Sequence, residues 1–466
     1  MNIPLLVTVG YVLITSAIAL TTARRSKGVR EFFIAGGQLP WIMLVPFWMA
    51  EYVAVSATVG NAELAHKSGI ISIWYQVGAP IGLSLLVFGL AKFYKTIRKV
   101  TVGEAFGILF GTRTRLAALV ILFIANTFSF GASCLALGAI IAPMFNLPYE
   151  SGVYLTALVM IVVAMAGGLR GIARMNMVHL VTIIICFVTA AIASVRAVGG
   201  LGDLFASLPL EHLDLGRPGW PNVAAWVIGS SGVKLVSLVA VTAVFAAKDE
   251  RSAKIGGVTT GIFVIFFAAL PMLIGLSAFV IMPDIPSKLA LWKMGEYGGP
   301  VISTMVSLGV VAAIFSTMPG FLLSLGALVT RDGFRVIRPE ASERSQLIFS
   351  RITMVVLGFG GTWLALKQPT ILDILFGTAQ MRAMLFILLL LAVLWRRIHP
   401  TAAFWTIVIG GGTTVIWFLT GKPFDVEPLW PGSAIGILTL IITSLRNRPS
   451  PFKGTEGLET TLDADR

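Results

Sequence analysis

Long apolar runs alternate with short polar breaks along the whole chain. The run at 381–395, MRAMLFILLLLAVLW, is apolar on every face, whereas a membrane-spanning strand would alternate apolar and polar residues. A membrane-spanning helix needs roughly 20 such residues. The pattern therefore predicts an all-α integral membrane protein with about thirteen spans. They lie near residues 3–22, 40–65, 70–91, 115–145, 151–169, 176–197, 223–247, 255–282, 299–330, 347–367, 372–395, 401–420 and 432–445.

Composition agrees with this pattern. Of 466 residues, 56% are hydrophobic and only 12% are charged, while a soluble protein carries about 25% charged residues. This excludes a cytosolic enzyme, a disulfide scaffold and a disordered protein. Cys134 and Cys186 lie inside apolar spans, where they act as small hydrophobes, and the four histidines form no ligand cluster. We therefore expect neither an enzyme nor a metal or redox framework.

The net charge of +13 follows the membrane topology. Most basic residues fall in breaks that face one side if the N-terminus lies outside, which the positive-inside rule explains without a nucleic-acid partner. The first apolar run lacks the basic start and cleavage site of a signal peptide. We therefore expect a multi-pass protein of the plasma membrane, with its N-terminus outside and a disordered cytoplasmic tail at 446–466.

One candidate site lies in the ninth span. Ala313, Ser316 and Thr317 stand at i, i+3 and i+4, on one helix face. Two hydroxyls and one carbonyl suit a small hard cation, and Pro319 cannot donate a hydrogen bond to the Phe315 carbonyl. The alternative is that both hydroxyls bond back to their own helix.

A second candidate site is a glycine- and serine-rich segment, GSSG at 229–232, in the middle of the seventh span. Two glycines and two serines lower helix propensity, and broken helices line transporter binding sites. The segment predicts an unwound stretch. The alternative is close helix packing, which small residues permit.

Four stretches together resemble the sodium:solute symporter family. They are the run from Glu31, EFFIAGGQLPWIMLVPFWMAEYVAVSATVGNAELAHKSGI, the GGLRGIARMN turn at 167–176, FAAKDERSAK at 245–254, and VVAAIFSTMPGFLLSLGALVTRDGF at 310–334. The resemblance covers about residues 1–400 and implies a LeuT-like inverted repeat. Its parts would be an extra helix and loop at 1–30, five-helix repeats at 40–197 and 223–395, C-terminal helices at 396–445 and the tail at 446–466.

The resemblance also implies a sodium site. The carbonyls of Ala50, Val53 and Ala313 and the hydroxyls of Ser316 and Thr317 would bind Na⁺ as the coupling ion. The sequence departs from the family pattern at two places. An aspartate that the family often carries aligns with Asn176, which argues against a second sodium, and the usual Gln-Arg pair aligns with Thr242-Ala243.

Three ionisable side chains fall inside spans: Glu51, Lys234 and Arg382. Such groups are costly in a bilayer, by at least about 2.5 kcal/mol, and are functional by default. Glu51 lies at the predicted break of the first repeat helix. Glu51 and Lys234 either form a structural ion pair, or Lys234 binds a substrate carboxylate while Glu51 meets an amine or a proton. Arg382, near Gln380, either faces the cavity or has a packing role.

The predicted function is secondary active uptake of a small polar organic solute, an amino acid or a monocarboxylate, coupled to sodium by alternating access. The candidate solute-binding residues are Glu51, Tyr52, Phe130, Ser230, Ser231 and Lys234. Trp48 and Trp226 either line the same pocket or belong to the core. The alternatives are a proton-coupled carrier using Glu51 and a channel or sensor that has lost transport. The expected partners are the solute, sodium and the lipid bilayer, with the protein as a monomer.

Overall fold

The structure, a computed structural model, describes residues 3–23, 37–97, 101–367, 371–395 and 398–446. Within these ranges the chain is helical apart from short connections, and its one β-type pairing is an isolated parallel bridge between Leu39 and Ala247. The predicted all-α class is confirmed. The tail beyond residue 446, the start of the Glu31 run and the side chain of Arg170 lie outside what is described.

The first half of the chain folds into ten α-helices within the described ranges. They are α1 (Ile3–Ala23), α2 (Trp41–Tyr52), α3 (Val59–Ser68), α4 (Ile73–Ser84), α5 (Ala91–Ile97), α6 (Val102–Phe110), α7 (Thr112–Met144), α8 (Tyr149–Val198), α9 (Leu201–Ala206) and α10 (Leu210–Leu213). A π-helical segment, Leu85–Leu90, joins α4 to α5, and a 3-10 turn, Gly69–Ser72, precedes α4.

The second half adds twelve more in the same ranges. They are α11 (Trp220–Val236), α12 (Leu238–Ala246), α13 (Glu250–Ile281), α14 (Ala290–Tyr297), α15 (Gly299–Leu328), α16 (Arg335–Ile337), α17 (Glu343–Ala365), α18 (Ile371–Met381), α19 (Ala383–Trp395), α20 (Pro400–Trp405), α21 (Gly412–Leu419) and α22 (Leu429–Arg446). Further π segments are Val329–Phe334 and Thr406–Gly411, and further 3-10 turns are Ser287–Leu289 and Pro423–Asp425.

Eight helices of the described chain are long and apolar enough to cross a membrane, and a bent pair makes a ninth. Three shorter apolar stretches, Leu6–Ile18 within α1, Tyr149–Met165 at the start of α8 and Leu429–Leu445 within α22, coincide with predicted spans one, five and thirteen. The multi-pass architecture is therefore the one that the apolar pattern predicts.

Two spans are broken in the middle. The first consists of α2 and α3, separated by non-helical residues 53–58, so that Glu51 lies in the last turn of α2, as predicted. The non-helical backbone of this break is partly satisfied from α4, where the Gln76 side-chain amide donates a hydrogen bond to the Ser56 carbonyl at 2.9 Å. The second broken span consists of α11 and α12, which meet at Ser237 with a bend of 43°.

The predicted unwinding at GSSG is wrong in its position. Residues 229–232 are helical within α11, and the break comes five residues later, at Ser237. The small residues instead allow close packing: a Cβ on Gly82 of α4 would overlap the Ser231 backbone, and one on Gly232 would overlap the Phe386 ring. Neighbouring helices thus hold in helical form a segment whose local propensity is poor.

The two broken spans also contact each other directly. The Leu39 amide, just before α2, donates to the Ala246 carbonyl at 2.8 Å, and the Lys248 amide donates to the Leu39 carbonyl at 2.9 Å. Higher up, the Trp48 indole donates to the Ala240 carbonyl at 3.1 Å. Trp48 is fully buried in the hydrophobic core and is not among the residues that line the cavity described below.

A second difference concerns spans five and six. The sequence predicts a turn at 167–176 between them, but the structure assigns one helix, α8, of 50 residues. Its first half packs on α7, where Gly138 faces Val153, and its second half packs on α15, where Gly309 faces Cys186. Helix α15 runs unbroken through Pro319 and lies against both α2 and α8.

Candidate functional site

A polar cavity lies between the broken spans and their neighbours. Its empty volume is about 690 Å³, including its open mouth. The lining residues come from the two broken spans, from α4, α7, α15 and α18, and from the junction of α18 with α19. They are Glu51, Ala54, Val55, Ser56, Tyr75, Asn126, Ser129, Phe130, Ser133, Val233, Lys234, Ser237, Thr317, Met318, Phe321, Leu375, Thr378 and Arg382.

The hydroxyl face of α15 meets the end of α2 at one side of this cavity. Ser316 donates to the Ala313 carbonyl at 2.7 Å, and the Thr317 hydroxyl lies 3.1 Å from the same carbonyl. Thr317 also donates to the Ala50 carbonyl across the helix interface. Four of the five oxygens predicted to bind sodium are thus linked by short contacts. Both hydroxyls also make the intrahelical bonds of the alternative interpretation.

The fifth predicted oxygen belongs to Val53. This residue is fully buried and follows the last turn of α2, and its amide donates to the Met49 carbonyl at 2.8 Å. Its own carbonyl opens the non-helical break, where the helix stops supplying the usual amide partners. Carbonyls freed in this way are the groups that bind cations in broken transporter helices.

Glu51 connects the two breaks. One of its carboxylate oxygens, Oε1, accepts a hydrogen bond from Ser237, the residue at which α11 ends and α12 begins. The Ser237 hydroxyl also accepts from the Ala240 amide at 3.3 Å, which caps α12. The other carboxylate oxygen of Glu51, Oε2, is buried without a hydrogen-bond partner.

Lys234 approaches from α11 and rests on an aromatic ring. Its ammonium lies 4.1 Å from the centre of the Tyr52 ring, a cation–π contact. Among the ion pairs of the described chain, none joins Lys234 to Glu51. The structure therefore lacks the structural ion pair that the sequence leaves open.

Arg382 supplies a second cation to the cavity. It stands at the junction of α18 and α19 and is 5% exposed. One guanidinium nitrogen donates to the Asn126 side-chain oxygen at 2.8 Å, while Nε is buried without a partner. The structure thus places Arg382 at the cavity, one of the two roles left open by the sequence.

Not every predicted solute-binding residue reaches the cavity. Phe130 lines the cavity, and Tyr52 lies beside it in contact with Lys234. Ser230 and Ser231 instead face α4. Trp226 stacks on Phe376 at 5.5 Å between ring centres and donates to Glu427 at 3.3 Å, outside the cavity lining.

Several polar residues that line the cavity are not among the residues predicted from the sequence. Asn126, Ser129 and Ser133 stand at i, i+3 and i+7 of α7, a polar stripe on an otherwise apolar span. Thr378 lies on the facing helix α18, four residues before Arg382, and the Ser129 and Thr378 hydroxyls are 3.0 Å apart. Polar residues at helical spacing within an otherwise apolar span are a sequence signal for such a cavity-facing stripe.

Two interrupted membrane helices around a polar cavity, with an oxygen-rich contact to a third helix, define a secondary transporter. Among the described residues, no group of three His, Cys, Asp or Glu side chains could hold a transition metal.

The model of the sodium:solute symporter family matches residues 32–410, and the chain belongs to this family. It is 22% identical to the osmoregulated proline transporter OpuE of Bacillus subtilis (strain 168), over 97% of this chain and 96% of that protein. It is 21% identical to the high-affinity proline transporter PutP of the same strain, over 91% and 93%.

The fold is similar to that of a Na⁺-coupled sialic acid symporter in a substrate-bound, outward-open state. The TM-score is 0.82, with 16% sequence identity, and the match covers 97% of this chain and 99% of that one. The fold is thus that of the LeuT-like transporters, as the resemblance implied. The chain is a multi-pass membrane transporter, not an enzyme, and it couples the movement of a solute to that of sodium.

Proposed function

We propose that the carbonyls of Ala50, Val53 and Ala313 and the hydroxyls of Ser316 and Thr317 bind the coupling sodium. The observation that carries this assignment is the contact of Thr317 with the Ala50 carbonyl, which brings oxygens of α2 and α15 to one point. Sodium there would replace the hydrogen bonds that Ser316 and Thr317 now donate. Because it would bridge a broken helix and an unbroken one, its binding would favour one arrangement of the two.

The proposed cargo is an amino acid or a monocarboxylate that occupies the cavity beside Glu51, Lys234 and Arg382. The proline transporters among the relatives support a small carboxylate-bearing solute. Sodium and solute would enter together from outside, and low internal sodium would release both. A positive charge moving inward gains about 2.3 kcal/mol per 100 mV of membrane potential.

The remaining features of the proposal concern topology and assembly. Residues 40–197 and 223–395 would form the two inverted repeats. The protein would lie in the plasma membrane as a monomer, with its N-terminus outside and its C-terminus in the cytoplasm. The pairing of Leu39 with Ala247 supports the predicted order of spans between them, because both positions are predicted to lie on the same side of the membrane.

Uptake into proteoliposomes tests the proposal. At equal pH on both sides, an inward sodium gradient should accumulate labelled proline or labelled lactate above the level with potassium alone. A proton gradient without sodium should not. Accumulation driven equally by protons in the absence of sodium would instead favour a carrier that uses Glu51, and no sodium-driven uptake of either compound would contradict the proposal.

A further inference from the structure

The ionisable groups at the cavity carry an excess of positive charge. Of the eighteen lining residues, Lys234 and Arg382 are basic and Glu51 alone is acidic. The side chain of Glu51 is bound to the neutral Ser237 hydroxyl rather than to either cation. In their ordinary ionised forms these side chains sum to one positive charge, before the coupling sodium adds another.

The two cations stand on different elements. Lys234 projects from α11 over the Tyr52 ring, and Arg382 stands at the α18–α19 junction with Asn126. Neither has a carboxylate partner among the described residues. A cation away from bulk water needs an opposite charge, because the low dielectric strengthens both the cost of leaving it unpaired and the gain of pairing it.

The Arg382 end has the features of a carboxylate site. Arg382 is only 5% exposed, and its Nε is buried without a hydrogen-bond partner, so this N–H donor is left for a ligand. Guanidinium groups bind carboxylates through two parallel N–H donors. The neutral hydroxyls of Ser129 and Thr378 also line the cavity, but they already donate to the Ala125 and Leu375 carbonyls of their own helices.

We propose that the solute is a net anion, a carboxylate without a compensating ammonium, which Arg382 and Lys234 bind together. This inference rests on the proposed function and narrows it. An anion of one charge cancels the surplus of the side chains and leaves only the charge of sodium. A zwitterion such as proline leaves the surplus of one positive charge in place, and its ammonium would have Glu51 as its single acidic partner among the lining residues, with both cations and the sodium nearby.

Matched pairs of compounds provide the test. Lactate and alanine differ in a hydroxyl against an ammonium, and tetrahydrofuran-2-carboxylate and proline differ in a ring oxygen against a ring NH₂⁺. The purified full-length protein in detergent is titrated with each compound, in sodium and in potassium, while its melting temperature is followed. The anion of each pair should bind at least tenfold more tightly than the zwitterion, and only in sodium.

Variants locate the binding groups. Lys234→Met and Arg382→Gln should each weaken lactate binding at least tenfold, whereas Lys234→Arg should retain most of it. The exposed side chains Lys288 and Arg338 provide matched controls, Lys288→Met and Arg338→Gln, which should bind lactate as the unaltered protein does. The melting temperature of each variant without solute reports whether it is folded.

Three outcomes would overturn the inference. They are equal or tighter binding of the zwitterion in both pairs, binding of neither anion, and undiminished lactate binding by the folded Lys234→Met and Arg382→Gln variants. Sodium-driven uptake of proline without uptake of lactate would refute the anion while leaving sodium symport intact. Loss of sodium dependence for every compound would refute the proposed function itself.

Discussion

The Thr317 hydroxyl on the unbroken helix α15 donates a hydrogen bond to the Ala50 carbonyl at the end of α2. Both residues are buried, at 8% and 4% exposure, although they lie 267 positions apart in the chain. This contact joins the first broken span to the helix that carries the hydroxyl pair. Any ion bound between them would hold the two helices in one arrangement.

Removing the Thr317 hydroxyl should weaken sodium binding. Thr317→Val keeps the side-chain shape but takes away one oxygen ligand, so the sodium concentration for half-maximal uptake should rise at least tenfold. Thr304→Val is a matched control, because Thr304 stands on the same helix and bonds only to its own backbone at Pro300. An unchanged sodium dependence in Thr317→Val would refute the assigned site.

Glu51 and Lys234 should each be needed for uptake, and not merely as the two halves of an ion pair. Since no ion pair joins them, the double variant Glu51→Gln with Lys234→Met should not regain uptake lost in the single variants. Uptake rates of the four proteins form a double-mutant cycle. Recovery of uptake in the double variant to near the level of the unaltered protein would show that the two residues act only as a pair.

A network around Asp332 should stabilise the π-helical segment Val329–Phe334, which follows the C-terminal end of α15. Asp332 is fully buried, accepts from Arg115 Nε at 2.7 Å and accepts from the Thr101 hydroxyl at 2.8 Å. Asp332→Asn removes the negative charge that these two donors meet, while Glu104 still lies 3.7 Å from Arg115, so the substitution should lower the free energy of unfolding by about 2 kcal/mol. Melting temperatures measure this, with exposed Glu340→Gln as the control. Equal melting of the two variants would contradict it.

The glycines of α4 should be needed for packing against α11. A methyl group at Gly82 would overlap the Ser231 backbone, whereas one at Gly89 would meet nothing within 4 Å. Gly82→Ala should therefore lower the melting temperature by several degrees, and Gly89→Ala should not, since strain of this kind costs about 1–3 kcal/mol. Identical effects of both substitutions would show that α4 and α11 do not need this close approach.

The loop helix α10 should give the protein a pH-dependent stability. Burial, with the ring of His212 stacked 4.0 Å from that of Phe279, lowers the pKa of His212 below its ordinary value of 6.5. The neutral form is thus favoured in the folded state, and its contribution is complete above pH 6.5 and is lost as the pH falls.

The measurement is the melting temperature between pH 7.5 and 5.5. It should fall with pH in the unaltered protein and fall less in His212→Phe, which keeps an aromatic ring against Phe279. Parallel curves for the two proteins would show that His212 contributes nothing to the pH dependence.

The class of the protein and part of its site could be predicted from the sequence. Apolar runs of membrane-spanning length define the helices locally, since in lipid each helix must satisfy its own backbone. The i, i+3, i+4 spacing puts Ala313, Ser316 and Thr317 on one face by helix geometry alone. Glu51 was placed at the end of a half-helix through the family resemblance.

Three features of the site depend on the tertiary structure and could not be predicted from the sequence. Helix α11 breaks at Ser237 and not at GSSG, because α4 and α19 pack against the small residues and stabilise their helical form. Arg382 reaches Asn126, and Glu51 reaches Ser237, across 256 and 186 positions. Spacing along a helix fixes which residues share a face, but contacts between distant helices depend on how all their side chains pack at once, and no local pattern contains that information.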